Sequence, residues 1–394
     1  MTNQTVITNS YRPISAAGEF DFDVAIIGAG TAGMAAYREA SQYSDRVALI
    51  DGGPLGTTCA RVGCMPSKLL IAAAEAAHAG SRTPMFGVRY DDPAIDGIAV
   101  MKRVRSERDR FVGFVTEAVH GFDKGEIIRE YARFEDDHTL RLSSGRKISA
   151  RTIVIATGSR PAIPQALFAA GERLIVNDDI FDWADLPGSV AVFGAGVIGL
   201  ELGQALHRLG GRVRLFGRGG QAGPLTDPVV RQYATDIFSG EFPAIWNADT
   251  RISRKGETVA VRWGETADQE ASFDYLVAAT GRRPNIDKIG LENTGLPLGK
   301  TGVPQYDPLS GRVGDTLRLT CRCCTKRQMK AAWPERMQRA FRIHTDDLAA
   351  PRSASFSPIR KLRWSGPAMP RSWLDRDATS RSEKFHLRTR AVPG

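Results

Sequence analysis

Two cysteines and a lysine form the densest group of reactive side chains in the sequence. They lie in Gly56-Thr-Thr-Cys59-Ala-Arg-Val-Gly-Cys64-Met-Pro-Ser-Lys68, where four residues separate the cysteines. That spacing can close a small disulfide loop at the start of a helix, where the helix dipole favours a thiolate. Lys68 follows Cys64 by one helical turn and adds positive charge on the same face. The group predicts redox catalysis.

A metal site is a weaker interpretation of the same pair. Zinc sites use tighter spacing and further Cys or His ligands, and no such ligand lies nearby in the sequence. Two buried, unreactive thiols are the remaining alternative, which the position of the pair after a nucleotide-binding unit disfavours. We therefore expect no metal.

Two glycine turns of the form G-x-G-x-x-G are the second feature with chemical meaning. Each follows an apolar strand and precedes a helical stretch, which is the arrangement that binds a pyrophosphate at a helix N-terminus. A single such turn is a weak signal, but two in the same context are a strong one. The glycines concerned are Gly28, Gly30, Gly33, Gly194, Gly196 and Gly199.

The residue 23 positions after the first glycine of each turn predicts which nucleotide is bound. In the first unit it is Asp51, which can accept hydrogen bonds from ribose hydroxyls and suits the adenosine half of FAD. In the second unit it is Gly217, followed by Arg218, with Arg212 and Arg214 nearby. Arg218 could pair with a 2′-phosphate, so the sequence favours NADP over NAD; a solvated surface arginine is the alternative.

The elements that must position these residues form an internal repeat. Each half has a β-α-β unit and later an apolar strand that closes on Ala-Thr-Gly, ending at Gly158 and at Gly281. The sequence therefore predicts a doubly wound α/β fold with two Rossmann-like domains, the second inserted in the first. The predicted strands are 22–27, 47–50, 190–193 and 213–216, and the predicted helices are 31 to about 43, 66–79 and 97–120.

The segment from 22 to 68, both Ala-Thr-Gly strands and the stretch Gly194–Glu201 resemble the two-cysteine pyridine-nucleotide–disulfide oxidoreductases. The resemblance runs from about residue 20 to 316 and is greatest to dihydrolipoamide dehydrogenase. It implies FAD and NADP or NAD as cofactors and a disulfide or dithiol as substrate. Mercuric reductase and glutathione-type reductases of the same family are the enzymatic alternatives.

The resemblance also implies roles for individual residues. Cys59 would be the interchange thiol that meets the substrate, and Cys64 would be the thiolate against the flavin. Lys68 would lie near the reactive edge of the flavin, and Glu201 would pair with Lys68 from the second domain. The implied domains are 20–158 with 286–316 for FAD, and 159–285 for the nicotinamide nucleotide.

The family pattern stops near residue 316. The segment 308–313 is typical of a loop, so we do not assign the family's Gly-Asp motif to Gly314-Asp315. No histidine is followed by Pro-x-x-Glu, and we expect the family's C-terminal dimerisation domain to be missing, which puts a homodimer in doubt. The chain could then be an inactive, truncated relative.

Residues 317–394 differ in composition from the rest. They hold 14 Arg and 4 Lys against 6 acidic residues, a net charge of +12 in a chain whose total is +9. The first 316 residues therefore carry −3 and offer no basic face for nucleic acid. A shifted reading frame is our favoured explanation; a disordered basic extension that binds a partner is the other.

The bulk composition excludes two further classes. No apolar run is long enough to span a membrane, and the polar N-terminus carries no signal-peptide core. We therefore expect a cytoplasmic enzyme without a membrane partner.

Overall fold

The computed structural model describes residues 19–91, 93–123, 125–264, 266–307 and 311–313, and the backbone of 317–319. Its helices are α1 Thr31–Ala40, α2 Thr57–Val62, α3 Cys64–His78, α4 Gly97–His120, α5 Asn177–Ile180, α6 Val197–Arg208 and α7 Pro228–Glu241. Short 3₁₀ segments cover Ala79–Phe86, Gln165–Arg173 and Leu291–Thr294.

The strands number eighteen within the described residues. In chain order they are β1 Phe22–Ile27, β2 Val47–Ile50, β3 Glu126–Ile128, β4 Ala132–Phe134, β5 Thr139–Leu142, β6 Lys147–Ile155, β7 Ser159–Pro161, β8 Leu174–Val176, β9 Ser189–Phe193, β10 Arg212–Phe216, β11 Ala244–Ile245, β12 Thr250–Lys255, β13 Thr258–Trp263, β14 Gln269–Phe273, β15 Tyr275–Ala278, β16 Arg282–Pro284, β17 Arg312–Val313 and β18 Leu317–Leu319.

The larger sheet has the order β17-β18-β6-β1-β2-β3, with β5 beside β6 and β4 beside β5. β1 pairs in parallel with β2 on one side and with β6 on the other. The strand order therefore reverses at the carboxyl end of β1, which is where ligands bind in open parallel sheets. The first glycine turn lies at this point.

The second sheet repeats that arrangement. Its order is β11-β10-β9-β15-β8, and each of its pairs is parallel. β9 is flanked by β10 and β15, so the second glycine turn also lies where the strand order reverses. The predicted strand at 190–193 begins one residue earlier, at Ser189, where it pairs with Arg212.

The chain leaves the larger sheet after β6, builds the second sheet, and returns to the larger sheet at β17 and β18. A two-stranded antiparallel ribbon, β7 with β16, lies at the two crossings. This order is the one that an inserted second domain requires. The domain boundaries themselves stay a prediction.

A shared hydrophobic core joins the helices of the first half to the second sheet. Leu70 of α3 and Met101 of α4 belong to the same buried cluster as Val192 of β9 and Leu206 of α6. All four side chains are nearly inaccessible to solvent. Removing a fully buried leucine such as Leu70 costs about 2–5 kcal/mol in typical cores, so this cluster is a substantial link between the two halves.

The predicted loop over residues 308–313 is wrong for Arg312 and Val313. Arg312–Val313 forms a short strand where the sequence pattern indicates a loop, and the backbone of Leu317–Leu319 pairs in parallel with β6. Alternating Leu-Arg-Leu in the sequence supports a strand once a neighbouring strand supplies the hydrogen bonds. The expectations for the rest of 317–394 lie outside the described residues.

Candidate active site

The first glycine turn uses its three glycines for different purposes. Gly28 has φ +108°, and a Cβ there would lie 2.4 Å from the carbonyl oxygen of Ala156. A Cβ at Gly33 would lie 1.7 Å from the carbonyl oxygen of Gly28. A Cβ at Gly30 would meet nothing within 4 Å. The fold itself therefore requires Gly28 and Gly33, whereas Gly30 leaves open space beside the start of α1.

That open space suits an anion. Gly30 is the N-cap residue of α1, and no side chain caps this end of the helix. The first backbone N–H groups of a helix lack partners within the helix and carry the positive end of its dipole. A pyrophosphate can use both features.

Asp51 lies beside this turn, directly after β2. Its Oδ2 accepts a hydrogen bond from the backbone N–H of Ala29 at 2.7 Å, and its Oδ1 accepts one from Gly53 at 2.8 Å. Arg129 donates to the carbonyl oxygen of Asp51 at 2.7 Å and also to that of Gly53. Two backbone N–H groups therefore orient the carboxylate, and Arg129 holds the backbone on either side of Gly52. The carboxylate keeps lone pairs for ribose hydroxyls.

A cavity of about 570 Å³ opens at the glycine turn and at Asp51. This volume is within the usual range for small-molecule sites. Open space at Gly30, an oriented carboxylate and several arginines fit the phosphates and ribose of a dinucleotide such as FAD. The lining includes Ile27, Gly28, Ala29, Gly30, Asp51, Gly52, Gly53, Thr57, Thr58, Arg61, Tyr131, Ala132, Thr157, Gly158, Arg160, Arg283, Asn285 and Lys288.

The two cysteines lie on two consecutive helices, and neither is among the residues that line the cavity, although their neighbours Thr58 and Arg61 are. Cys59 is half-buried within α2, and Cys64 is exposed as the first residue of α3. Gly63 joins the two helices, and a Cβ there would lie 2.9 Å from the carbonyl oxygen of Thr58. The glycine lets the loop close tightly between the cysteines.

A strained turn that sequence reasoning missed precedes Cys59. Gly56 has φ +108°, and Thr57, a β-branched residue, has φ +59°. Left-handed threonine is uncommon and costs free energy unless its surroundings hold it. Thr57 is buried, and its Oγ1 accepts a hydrogen bond from the backbone N–H of Ala60 at 3.1 Å. The turn thereby sets the start of α2, whose Thr57, Thr58 and Arg61 line the cavity.

Lys68 and Glu201 meet although 133 positions separate them in the sequence. Lys68 Nζ lies 2.7 Å from Glu201 Oε1, and the side chains are 59% and 35% exposed. Lys68 belongs to α3, and Glu201 belongs to α6, which follows the second glycine turn. The contact therefore joins the cysteine-bearing helix to the second nucleotide unit.

The second glycine turn repeats the geometry of the first. Gly194 has φ +115°, with a Cβ position 2.3 Å from the carbonyl oxygen of Ala279. A Cβ at Gly199 would lie 1.9 Å from the carbonyl oxygen of Gly194, whereas Gly196 has nothing within 4 Å. The second turn therefore offers the same open cradle at the start of a helix. The glycines that end the two Ala-Thr-Gly strands, Gly158 and Gly281, have φ +69° and +113°.

The structure separates the three arginines near the second turn. Arg214 stacks over Trp263 at 4.5 Å, and Arg212 stacks over Phe273 at 5.2 Å. Burial, followed by the charge of Arg212, lowers the pKa of Arg214. Arg218 is exposed, and no hydrogen bond or ion pair joins it to another residue of the described part of the chain.

Gly217 is packed closely. A Cβ at this position would lie 2.9 Å from the carbonyl oxygen of Trp246 and 3.1 Å from the Cβ of Ala195. An acidic residue could not replace Gly217 without moving one of these neighbours. The turn therefore excludes the carboxylate that would repel a 2′-phosphate.

Asn177 and Asp178 lie against the cysteine loop, and sequence reasoning missed both. Asn177 Nδ2 donates to the carbonyl oxygen of Val62 at 3.2 Å and to Asp178 Oδ1 at 2.8 Å. Burial raises the pKa of Asp178, although the charges of Arg282 and Arg61 oppose the shift. The signal in the sequence was a run of three polar residues, Asn177, Asp178 and Asp179, directly after the apolar strand β8.

Two kinds of site are not found in the described part of the chain. No helix there is long and apolar enough to cross a membrane. No group of three or more His, Cys, Asp or Glu side chains among those residues is placed to hold a metal ion.

Comparison with protein families gives one matching model over most of the chain. Residues 22–311 match the family described as pyridine nucleotide-disulphide oxidoreductase. The Shigella flexneri mercuric reductase is 32% identical over 295 residues, which cover 72% of this chain and 52% of the relative. The Geobacillus stearothermophilus dihydrolipoyl dehydrogenase is 30% identical over 303 residues, which cover 74% of this chain and 63% of the relative. The chain thus spans about half the length of the mercuric reductases it matches.

A solved structure supports the fold. The HOCl-induced flavoprotein disulfide reductase RclA from Escherichia coli matches with a TM-score of 0.65 at 21% identity. The match covers 85% of this chain and 72% of that protein. The predicted doubly wound α/β fold class is therefore confirmed.

Proposed function

Because the chain belongs to the pyridine nucleotide-disulphide oxidoreductase family, whose members depend on FAD and NAD(P), we propose that it passes electrons between a nicotinamide nucleotide and a disulfide or dithiol substrate through Cys59 and Cys64. The observation that carries the proposal is the Lys68–Glu201 contact. It joins the helix that begins at Cys64 to the helix that begins at the second nucleotide turn.

The two glycine turns indicate which residues would hold the two cofactors. Gly28, Gly30, Gly33, Asp51 and Gly158 would bind FAD at the cavity. When bound, FAD supplies the relay that accepts an electron pair from the nicotinamide and delivers it to the cysteine disulfide. The residues assigned to the nicotinamide nucleotide are Gly194, Gly196, Gly199, Arg218 and Gly281.

The cysteines perform thiol–disulfide exchange in this proposal. Two electrons and two protons convert the Cys59–Cys64 disulfide into two thiols. The Cys59 thiolate attacks one sulfur of the substrate disulfide, which forms a mixed disulfide and releases the first substrate thiol. The Cys64 thiolate then attacks Cys59 Sγ, which restores the protein disulfide and releases the second thiol. With a dithiol substrate the same steps run in reverse.

Lys68 and Glu201 would act beside the flavin. Lys68 adds a positive charge one turn after Cys64, and it would lie near the reactive edge of a bound flavin. Glu201 holds the ammonium group in place through the 2.7 Å contact. The cytoplasmic location and the expected lack of the family's dimerisation domain stay predictions from the sequence.

Turnover with candidate substrates tests this proposal. The full chain, supplied with FAD and with NADPH or NADH, is assayed with lipoamide, glutathione disulfide and mercuric ion. We expect the highest activity with lipoamide and a loss of at least about a thousandfold in Cys59→Ser, because the exchange nucleophile is gone.

Cys321→Ser, which lies beyond the family match, is the matched cysteine control and should retain activity. Full disulfide reduction by Cys59→Ser would contradict the proposed role of the cysteine pair. Preferred turnover of mercuric ion or of glutathione disulfide would assign the chain to one of the alternative activities.

We further propose that the second site prefers NADPH. The packing around Gly217 excludes a carboxylate, and Arg218 is exposed beside the open cradle. Arg218→Glu should raise the KM for NADPH roughly ten- to a hundredfold, because it replaces a charge-assisted hydrogen bond with repulsion. Arg214→Ala is the control, since that guanidinium already stacks on Trp263. An unchanged NADPH/NADH ratio in Arg218→Glu would refute the preference.

A further inference from the structure

Two ion pairs join α3 to α6 with the same spacing on both helices. The first is Lys68 with Glu201, and the second is Glu75 with Arg208. Seven residues separate the members of the two pairs on each helix. Seven residues are two helical turns, or about 10.5 Å, so the pairs form two rungs between the helices.

The order of the rungs fixes the direction of the helices. Residue numbers rise together along both helices, so α3 and α6 run parallel. Their N-terminal ends therefore lie at the same end of the pair. One of these ends carries Cys64, and the other carries the second glycine turn. The reacting groups of the proposed function are thus placed by the register between α3 and α6.

The two rungs differ in burial. Lys68 is 59% exposed, and an ion pair in contact with water stabilises a contact weakly. Arg208 is only 7% exposed, and its guanidinium contacts Glu75 on α3 and Glu241 on α7. A second nitrogen of Arg208 lies 3.1 Å from Glu241 Oε2. Arg208 is thus the better candidate for holding the register.

The surroundings of Arg208 keep it rigid. Gln204, one turn earlier on α6, donates to Glu241 Oε2 at 2.7 Å, so Glu241 is itself held from two positions. Leu70 and Ala74 of α3 pack in the same buried cluster as Leu206 of α6. A slip of one helical turn between α3 and α6 would separate Arg208 from Glu75 and deprive this nearly buried guanidinium of one of its two carboxylate partners.

We propose that Arg208, through Glu75, is a positioning residue that holds α3 and α6 in the register required for electron transfer between the nicotinamide nucleotide and the flavin. The inference rests on the proposed function and adds a residue that touches neither cofactor. Arg208 lies two turns from Glu201 and acts through the helix register. Arg208 belongs to the second half of the molecule through α6 itself, and Glu75 connects it to the cysteine-bearing helix.

Two single variants separate these roles. Glu75→Ala removes the link between α3 and α6, and Glu241→Ala removes only the link between α6 and α7. Glu75 is half-exposed, so its replacement leaves no buried cavity. Glu75→Gln keeps an acceptor for Arg208 and serves as the conservative rescue. Glu241→Gln replaces Glu241→Ala if the alanine variant does not fold.

The first measurement follows Lys68 without any cofactor. Limited acylation of lysines in the full chain is quantified by mass spectrometry, with Lys147 as the internal reference. Lys147 Nζ lies 2.7 Å from Glu135, and its side chain is 56% exposed, which closely matches Lys68. We expect the labelling of Lys68 relative to Lys147 to rise about twofold in Glu75→Ala, as weakening of an exposed pair implies. It should not rise in Glu241→Ala.

The second measurement is the rate of flavin reduction by NADPH in the FAD-loaded protein, followed by anaerobic rapid mixing. Small misplacements of reacting groups cost up to about a hundredfold in rate. We expect Glu75→Ala to be slower by roughly tenfold or more, Glu75→Gln to recover part of the rate, and Glu241→Ala to retain the wild-type rate. A purely stabilising role would lower the melting temperature in both variants and leave both rates unchanged.

The outcomes distinguish the two proposals. Unchanged Lys68 labelling and unchanged flavin reduction in Glu75→Ala overturn the positioning role of Arg208, as do equal changes in Glu75→Ala and Glu241→Ala. If the wild-type protein shows no flavin reduction, the proposed function fails. The labelling comparison then still decides whether the Glu75–Arg208 pair holds the register.

Discussion

At the residue scale, the same amino acid serves two purposes within each glycine turn. Gly28 and Gly194 have left-handed backbone and lie under the Ala-Thr-Gly strands, so the fold requires them. Gly30 and Gly196 have ordinary extended backbone with open space where a side chain would be. The fold does not require glycine at these two positions, and the absence of a side chain there leaves room for a ligand.

Substitution of Gly30 tests this division. Gly30→Ala should leave the melting temperature of the cofactor-free protein unchanged, because its methyl group meets no protein atom. The affinity for FAD should fall roughly tenfold or more, because the methyl group occupies the phosphate cradle. Fluorescence titration with FAD and thermal unfolding measure the two effects. Gly28→Ala is the control and should destabilise the fold; wild-type FAD affinity in Gly30→Ala would refute the cradle.

Sequence reasoning identified these glycines because their spacing is local and their neighbours are apolar. It selected Arg218 from its position directly after Gly217. It could not show that Arg214 and Arg212 stack on Trp263 and Phe273, because these rings come from the antiparallel strands β13 and β14, far along the sequence. Thr57 was missed for another reason. Threonine has no propensity for left-handed backbone, and only the packing around it holds that conformation.

At the element scale, the strands and helices beside the site could be predicted closely. The helix 97–120 and the strands 22–27 and 47–50 have the predicted bounds. The helix from residue 31 is shorter than predicted and ends at Ala40. The cysteine helix begins at Cys64, two residues before the predicted start, and Pro66 occupies its first turn, where proline is tolerated. The hydrophobic periodicity is clearest in a long helix such as α4.

The contacts between elements could not be derived from the periodicity. The pair Lys68–Glu201 followed from the family resemblance, and its counterpart Glu75–Arg208 was not predicted. Both pairs link residues 133 positions apart, and charged residues on a helix surface are usually solvated. Only the packing of α3 on α6 shows that these particular charges meet.

The contact between Arg208 of α6 and Glu241 of α7 leads to a prediction about the pH dependence of stability. Burial alone would raise the pKa of Glu241, but hydrogen bonds from Arg208 and Gln204 outweigh it, so the pKa is lowered. A lowered folded-state pKa gives stability that is complete above the unfolded value of about 4.3 and is lost as pH falls through the folded value. Glu241→Gln should therefore cost about 1–3 kcal/mol at pH 7.

Thermal unfolding between pH 7 and pH 3.5 measures this difference. The gap in melting temperature between wild type and Glu241→Gln should stay constant from pH 7 to about pH 5 and narrow below about pH 4. Glu270→Gln is a useful comparison, because the pKa of Glu270 is also lowered, by Lys255 and Arg262, but the group is exposed. A gap that stays constant to pH 3.5 would show that the charge of Glu241 is not involved.

At the scale of the whole molecule, one buried cluster joins the two nucleotide units, together with ion pairs that include Lys68–Glu201, Glu75–Arg208 and Arg108–Asp182. The internal repeat in the sequence predicted two units of the same type. It could not predict that α3 and α4 of the first half pack on the sheet of the second, because both surfaces are simply apolar. The composition change at residue 316 was visible in the sequence, yet the backbone of 317–319 still joins the larger sheet.

The most direct test of the account is an anaerobic titration of the purified, FAD-supplied chain with NADPH, and then with NADH, followed by its visible spectrum. We expect bound flavin, two-electron reduction and a long-wavelength charge-transfer band that is absent in Cys64→Ser, with NADPH acting at the lower concentration. Failure to bind FAD would contradict the assignment of the first glycine cradle. Flavin reduction without the band would contradict the placement of Cys64 against the flavin.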